Sequence, residues 1–307
     1  MTSSSTSSLQ TVIRTMRPPF LLLVLSCLSI AVAGTYLLEL AWSWVDMGLI
    51  IAASLSSHMA VNMLNEYEDF SSELDLNTQR TPFSGGSGGL PDAPHNVNAV
   101  KWGAFITLAI TIICGLALVF RHEGTAQLLL VALGVVGTVI IYTYTRYINR
   151  SPWLCLIAPG LAFGPIMVVG SFVALTGQYA WQVSVLSLIP FFLVNNLLLL
   201  NQFPDIEADK AHGRYHLLIK CGTRFCARIL MLQWVLTAAV VVFTVMSDVV
   251  PAFSALALLV IVVTLPIFKR AVEFNGIDDS FLQVMGKNVG VTLLTPVILS
   301  LGIVLGS

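Results

Sequence analysis

Nine stretches of this 307-residue chain are each long and apolar enough to form a helix that crosses a bilayer: residues 19–40, 45–64, 100–120, 125–145, 154–176, 182–202, 228–247, 250–268 and 288–306. A spanning helix needs about 20 mostly apolar residues. In hydrocarbon the backbone must satisfy its own hydrogen bonds, so each stretch predicts an α-helix. Isolated polar residues such as Ser26 and Thr107 do not interrupt the pattern. Composition agrees: hydrophobic residues make up 56% and charged residues 10% of the chain, where a soluble domain carries about 25% charge. The expected fold class is an all-α integral membrane protein with nine transmembrane helices.

Fourteen of the fifteen Lys and Arg fall before the first run or in alternate loops, all on one face, and only Arg121 falls on the other. The positive-inside rule then places the N-terminus in the cytoplasm and the C-terminus outside. Residues 1–18 read as a cytoplasmic tail and 19–307 as one membrane domain; the run at 19–40 is too long for a signal sequence and lacks a clear cleavage site. A bacterial plasma (inner) membrane is the expected setting. Fifteen cations against sixteen acids leave no basic surface for nucleic acid. Five cysteines, most of them inside apolar runs, do not suggest a disulfide framework.

Half of the acids fall in two short stretches where an apolar run meets a cytoplasmic loop. The first is NMLNEYEDFSSELD, with Glu66, Glu68, Asp69, Glu73 and Asp75; the second is NQFPDIEAD, with Asp205, Glu207 and Asp209. Four spans separate them, so both return to the same face. This suggests two parallel four-helix repeats about an axis along the membrane normal, with a ninth helix appended. Helical spacing predicts that Asn62, Glu66, Asp69 and Glu73 share a face, with Asn65 one turn before Asp69, and that Asn201, Asp205 and Asp209 share another. A charge run at a helix end is ordinarily a solvated face, but here Asn-plus-acid clusters recur at matching topological positions. Two facing sets of carboxylates would repel unless a cation lay between them. Such hard oxygen ligands suit Mg²⁺, which usually keeps waters and is completed by substrate phosphates.

These residues resemble the two aspartate-rich motifs of the UbiA family of intramembrane prenyltransferases, and the resemblance covers essentially the whole chain. The family's Asn-Asp-x-x-Asp is matched by Asn65, Glu66 and Asp69, with Glu66 longer by one methylene. Asp75 and Glu73 match later acids at the spacings of different branches. Asp205, Glu207, Asp209, Gly213 and Arg214 are most similar to the branch that prenylates 1,4-dihydroxy-2-naphthoate in menaquinone synthesis, as is FGPIMVVGSFVALTG (163–177). Pro204 stands where that branch commonly has Arg, and Tyr215-His216 where it often has Arg-Thr. Tyr142 with Arg146 fits a family Tyr and basic residue after span four.

The resemblance implies a cavity among the helices, open to cytoplasm and lipid. It implies Mg²⁺ held by Asn65, Asp69, Asp205 and Asp209, with Asn62 and Asn201 as further cavity candidates. Arg80, Tyr142, Arg146, Lys210 and Arg214 would bind the diphosphate of a polyprenyl substrate. Metal and cations would stabilise the leaving diphosphate, and a lipophilic aromatic acceptor would attack the allylic carbon. Glu66, Glu73 or Asp75 would orient or deprotonate that acceptor. The expected partners are these two substrates and membrane lipid, with no obligate protein partner evident. An intramembrane terpene synthase would use the same motifs. A secondary transporter fits less well, because its acids usually lie near the bilayer midplane.

Other features carry less. TPFSGGSGG (81–89) reads either as a lid over the site or as a flexible linker. His58, one turn before Asn62, reads either as cavity-facing or as a buried polar residue bonded to a neighbouring helix. His212 and His216, like Cys221 and Cys226, read as loop residues without a third ligand nearby. Phe191, Phe192 and Phe203 read as packing or channel-lining aromatics.

Overall fold

The computed structural model describes residues 7–306. Among them every regular element is helical, and nine helices are long and apolar enough to cross a membrane: α1 (Pro18–Leu37), α2 (Trp44–Ser71), α3 (Pro94–Val119), α4 (Gly124–Thr143), α5 (Pro152–Thr176), α6 (Trp181–Asn201), α7 (Thr223–Met246), α8 (Ala252–Val272) and α9 (Asp279–Gly306). Each coincides with one expected run. The helices outlast the apolar runs at the motif-bearing face. Thus α2 continues past residue 64 to Ser71 and α9 starts at Asp279 rather than 288. Apolarity ends where the chain leaves hydrocarbon, but the i→i−4 ladder continues into the polar layer.

The first six residues of the expected tail and Ser307 lie outside the described residues. Within the rest of that tail Ser8–Thr15 is a helix, started by a reciprocal cap between Ser7 and Gln10. It docks through Arg14 on Asp92 at 2.6 Å and Ser8 on Asn96 at 2.8 Å.

Polar bonds between spans fix the packing, as expected where lipid supplies no hydrophobic drive between helices. Ser26 Oγ of α1 donates to the Leu293 carbonyl of α9 at 2.7 Å, and Ser56 of α2 meets Thr111 of α3 at 2.8 Å. On α6, Asn196 donates to the Leu230 carbonyl of α7 at 2.9 Å and accepts from Gln233 at 2.8 Å. Helices α5 and α6 touch at Gly160, where an added Cβ would collide with the Phe191 carbonyl. The Gly160 N–H donates to Asn195 at 2.7 Å. Pro159 and Pro165 lie inside α5, and Ala162–Val169 takes a π-helical turn. Proline removes a ladder donor and crowds the preceding turn, and such π turns gather at functional sites.

The four-crossing separation brings the ends of α2 and α6 to one face. Beneath it lies a cavity of about 700 Å³ walled by α1–α6 and the loops at that face. Its flank along α3 and α4 is open: Leu116, Val135 and Val139 line the cavity yet are 48%, 58% and 53% exposed.

Candidate active site

The last two turns of α2 carry the first cluster. Asn65 Nδ2 donates to Asp69 at 2.7 Å, and Asn65 Oδ1 accepts from Thr145 at 3.2 Å. Asn62 Nδ2 donates to the Met16 carbonyl at 2.9 Å, tying α2 to the residue before Arg17. Beyond α2 the chain turns sharply, with Glu73 in the left-handed region at φ 63°. The turn puts Glu73 in solvent and folds Asp75 back, buried, onto the cavity. Glu73 therefore does not share the face of Asn62 and Asp69, because the helix ends two residues before it.

The second cluster also departs from a continuous helix. After α6 ends at Asn201 the chain leaves the helix through Pro204, which has no N–H to give, and re-enters one at Ile206–Ala211 with Asp205 at its N-cap. Asn201, Asp205 and Asp209 nonetheless all line the cavity, as do Asn62, Asn65, Asp69 and Asp75.

Arg214 joins the clusters. Its guanidinium donates to Asp69 and, at 2.9 Å, to Asp209. His216, 1% exposed, meets the other Asp209 oxygen through Nε2 at 3.0 Å. Burial alone would lower the Arg214 pKa, but the two carboxylates more than offset it and the net direction is upward. Arg214 thus stands where a cation was expected.

The 81–89 loop closes over the acids using its backbone. The Ser87 N–H donates to Glu66, and the Gly85 backbone supports Asp205. Gly86 packs on Asp75: it has φ +75°, and a Cβ there would lie 2.8 Å from the Asp75 carboxylate. Four carboxylates and two guanidiniums line the cavity among the described residues, leaving a surplus of negative charge if all ionise. Burial, followed by the charges of Asp69 and Glu66, pushes Asp75 up to about 8. Burial and then Asp209 push Asp205 up to about 7. Oxygens of Glu66, Asp75, Asn201 and Asp205 are buried without a partner among the described residues.

Of the expected diphosphate residues, only Arg214 lines the cavity among the described residues. Arg80 is exposed beside Asp92 at 3.4 Å, Arg146 lies over the Tyr147 ring, and Tyr142 and Lys210 are exposed. Three cavity-lining side chains beside the acids were not assigned to the site from sequence: His216, which reads there as a loop residue, Tyr144 and Arg17. Tyr144, rather than Tyr142, faces the cavity. Arg17, counted above only as a topological charge, enters it with left-handed backbone at φ 55°. Its guanidinium sits 4.4 Å over the Phe20 ring, with no carboxylate in ion-pair range among the described residues. Burial lowers its pKa against the pull of Glu66, Asp75, Asp205 and Asp69. No sequence signal pointed to this residue, since a residue before proline ordinarily takes extended backbone, whereas Arg17 is left-handed.

The profile of the UbiA prenyltransferase family matches residues 22–276. A 1,4-dihydroxy-2-naphthoate octaprenyltransferase of Bacillus subtilis (strain 168) is 30% identical over 188 residues, which are 58% of this chain and 56% of that relative. The match thus spans little more than half of that relative's length. Solved structures that share the fold include the following two. The apo structure of a UbiA homologue from Aeropyrum pernix K1 superposes with a TM-score of 0.67 at 16% identity, covering 92% of this chain and 97% of that one. A UbiA homologue from Archaeoglobus fulgidus, bound to DMAPP and Mg²⁺, gives 0.64 at 14% identity, covering 94% and 99%.

Proposed function

The chain belongs to the UbiA prenyltransferase family, and on that premise we propose that it transfers a polyprenyl group from an isoprenoid diphosphate to an aromatic quinone precursor, with Mg²⁺ as cofactor. The observation that carries this reading is the convergence of two acidic motifs, four spans apart, on one mostly apolar cavity with orphaned oxygens at its polar end. Sequence similarity to the B. subtilis enzyme supports a hydroxylated naphthoate as acceptor.

The donor set fits a divalent cation completed by phosphate oxygens. Among the described residues no three acidic, His or Cys side chains form a ready-made metal cluster, but Mg²⁺ is typically held by only one or two carboxylates plus substrate phosphates and waters. Asn65, Asp69, Asp205 and Asp209 would hold it, offsetting the surplus charge. When bound, it supplies Lewis-acid stabilisation to the departing diphosphate. Arg17 and Arg214 would bind the remaining phosphate oxygens, with Arg214 turning from the two aspartates it now bridges. The allylic C–O bond breaks with its electron pair going to the diphosphate, and a ring carbon of the acceptor bonds to the allylic carbon. That ring carbon then loses its proton. Of Glu66, Glu73 and Asp75, Asp75 is best placed to receive it, because it alone lines the cavity and has a buried, unpartnered oxygen. The tail would lie along the α3–α4 flank.

The molecule is a multi-pass membrane protein, and its motif-bearing face is cytoplasmic in this reading. Arg121, the single cation on the opposite face, is ion-paired to Asp46, so the charge asymmetry between faces is sharper than the residue count. A plasma-membrane setting follows the same reading.

Mass spectrometry of products tests it. Purified protein receives Mg²⁺, prenyl diphosphates of several lengths, and 1,4-dihydroxy-2-naphthoate, 4-hydroxybenzoate or homogentisate, with EDTA and acceptor-free controls. A prenylated aromatic that disappears with EDTA is the expected result. A hydrocarbon or alcohol formed equally without acceptor would replace the reading with a terpene synthase.

A further inference from the structure

Deep in the cavity, away from the acids, stands an imidazole that no part of the site above uses. His58 of α2 is 7% exposed and lines the cavity. Neither ring nitrogen has a hydrogen-bond partner among the described residues, and Nδ1 is fully sealed. Its ring meets Phe163 edge-to-face, with centroids 5.0 Å apart at 78°. Phe163 belongs to the π-helical turn of α5, so the irregular part of that helix forms the other wall of the same corner. Ser54, one turn earlier on α2, and Ser171 of α5 also line the cavity, and neither hydroxyl has a partner among the described residues. A buried polar group without a partner calls for an explanation, and a cavity wall carrying an orphaned imidazole and two free hydroxyls is a poor lining for a hydrocarbon tail.

Resting on the transferase reading, we infer that His58 and Phe163 form the acceptor subsite, with the imidazole hydrogen-bonded to a ring hydroxyl of the aromatic acceptor and Phe163 packed against its ring. Position supports this. His58 precedes Asn65 by seven residues, about 10 Å along the helix axis, which leaves room for the allylic carbon and one ring system between diphosphate and imidazole. Chemistry supports it as well. An aromatic acceptor offers a flat apolar body with polar hydroxyls, and the corner offers an aromatic wall with an unused hydrogen-bonding nitrogen. A hydrogen bond accepted from a phenolic O–H also places electron density on the ring carbons next to it, the carbons that would attack. Specificity then follows, since a site built to bond a hydroxyl discriminates strongly against an analogue lacking it.

The test is steady-state kinetics of the full-length protein in detergent with 1,4-dihydroxy-2-naphthoate and geranylgeranyl diphosphate, each varied at saturating concentration of the other. His58→Leu is expected to raise the acceptor KM about tenfold, the size of one lost neutral hydrogen bond, while leaving the diphosphate KM unchanged. His58→Gln, which keeps a polar tip of similar reach, restores most of the affinity. Should the leucine variant fail to fold, His58→Asn, too short to reach, must reproduce the rise that His58→Gln does not show. An unchanged acceptor KM in wild-type-like folded variants overturns the inference. So does a rise confined to the diphosphate KM, which would assign His58 to the tail. If the wild type releases diphosphate but alkylates no aromatic, the transferase reading itself has failed and this inference falls with it.

Discussion

Asp69 and Asp209, separated by four spanning helices in the chain, share a single counter-ion, the Arg214 guanidinium that donates to both. The two acidic motifs are therefore joined by a cation belonging to the chain itself. Replacing either aspartate by asparagine keeps its size and removes its charge. Asp69→Asn and Asp209→Asn should each lower kcat/KM by about 100–1,000-fold, the scale for losing one preorganised electrostatic group. Gel filtration and circular dichroism should still report folded protein. Full activity in either variant at saturating Mg²⁺ would remove both from the metal site.

Taking away the shared cation should do something different. Arg214→Gln leaves two buried carboxylates facing each other, and breaking a buried pair by removing one partner costs about 3–5 kcal/mol. The apo protein should melt well below wild type, and Mg²⁺ should raise the melting temperature of the variant more than that of the wild type. An equal metal-induced shift in both would mean that arginine and metal do not compete for the same carboxylates.

Gly86 is required by conformation and by contact. Its φ of +75° disfavours any side chain, and a Cβ would press on Asp75. Gly86→Ala should lift the 81–89 loop from the acids and reduce kcat, at a cost in stability of about 1–2 kcal/mol from the left-handed backbone alone. Thermal melts together with turnover at saturating substrate check both parts.

The raised pKa of Asp75 fixes the sign of a pH effect. A carboxyl whose folded-state pKa is lifted to about 8 contributes stability that is complete below its unfolded value near 4. That contribution is lost as the pH climbs towards 8, by at most about 1.4 kcal/mol per unit. Melting temperatures of the metal-free protein should thus fall between pH 5 and pH 8, and Asp75→Asn should flatten the slope. A wild-type profile that rises with pH would contradict the burial of an uncompensated carboxyl.

Gly134 of α4 lines the cavity, and an added Cβ would meet nothing within 4 Å. Gly134→Phe should therefore fold, yet occupy space assigned to the tail. Competition between short and long prenyl diphosphates should shift roughly tenfold towards the short one, within the range of an overpacking penalty. An unchanged preference would move the tail to another wall.

The nine spans were legible because each rests on a property summed over some twenty residues, which single polar positions such as Thr107 do not disturb. Asn65, Asp69, Asp205 and Asp209 were legible through their spacing and the parity of the crossings between them. Arg17 was not, since its place depends on a left-handed turn and on four acids distant in sequence. Nor was the grip of residues 81–89, whose bonds to Glu66 and Asp205 come from backbone N–H groups that every sequence except proline carries. The break after Asn201 hid behind a regular spacing of 201, 205 and 209 that happens to survive the turn at Pro204. His58, one turn before Asn62, left two readings open in the sequence, cavity-facing or bonded to a neighbouring helix; the missing partner that decides between them is a fact of packing, not of sequence.

The open flank at Leu116, Val135 and Val139 decides the units in which substrate should be counted. A tail that enters sideways from the bilayer is sampled by two-dimensional diffusion, so occupancy follows its mole fraction among lipids rather than moles per litre of buffer. Diluting vesicles in water at constant lipid composition would then leave turnover unchanged. Diluting the prenyl diphosphate with inert lipid would slow it, as surface-dilution kinetics require.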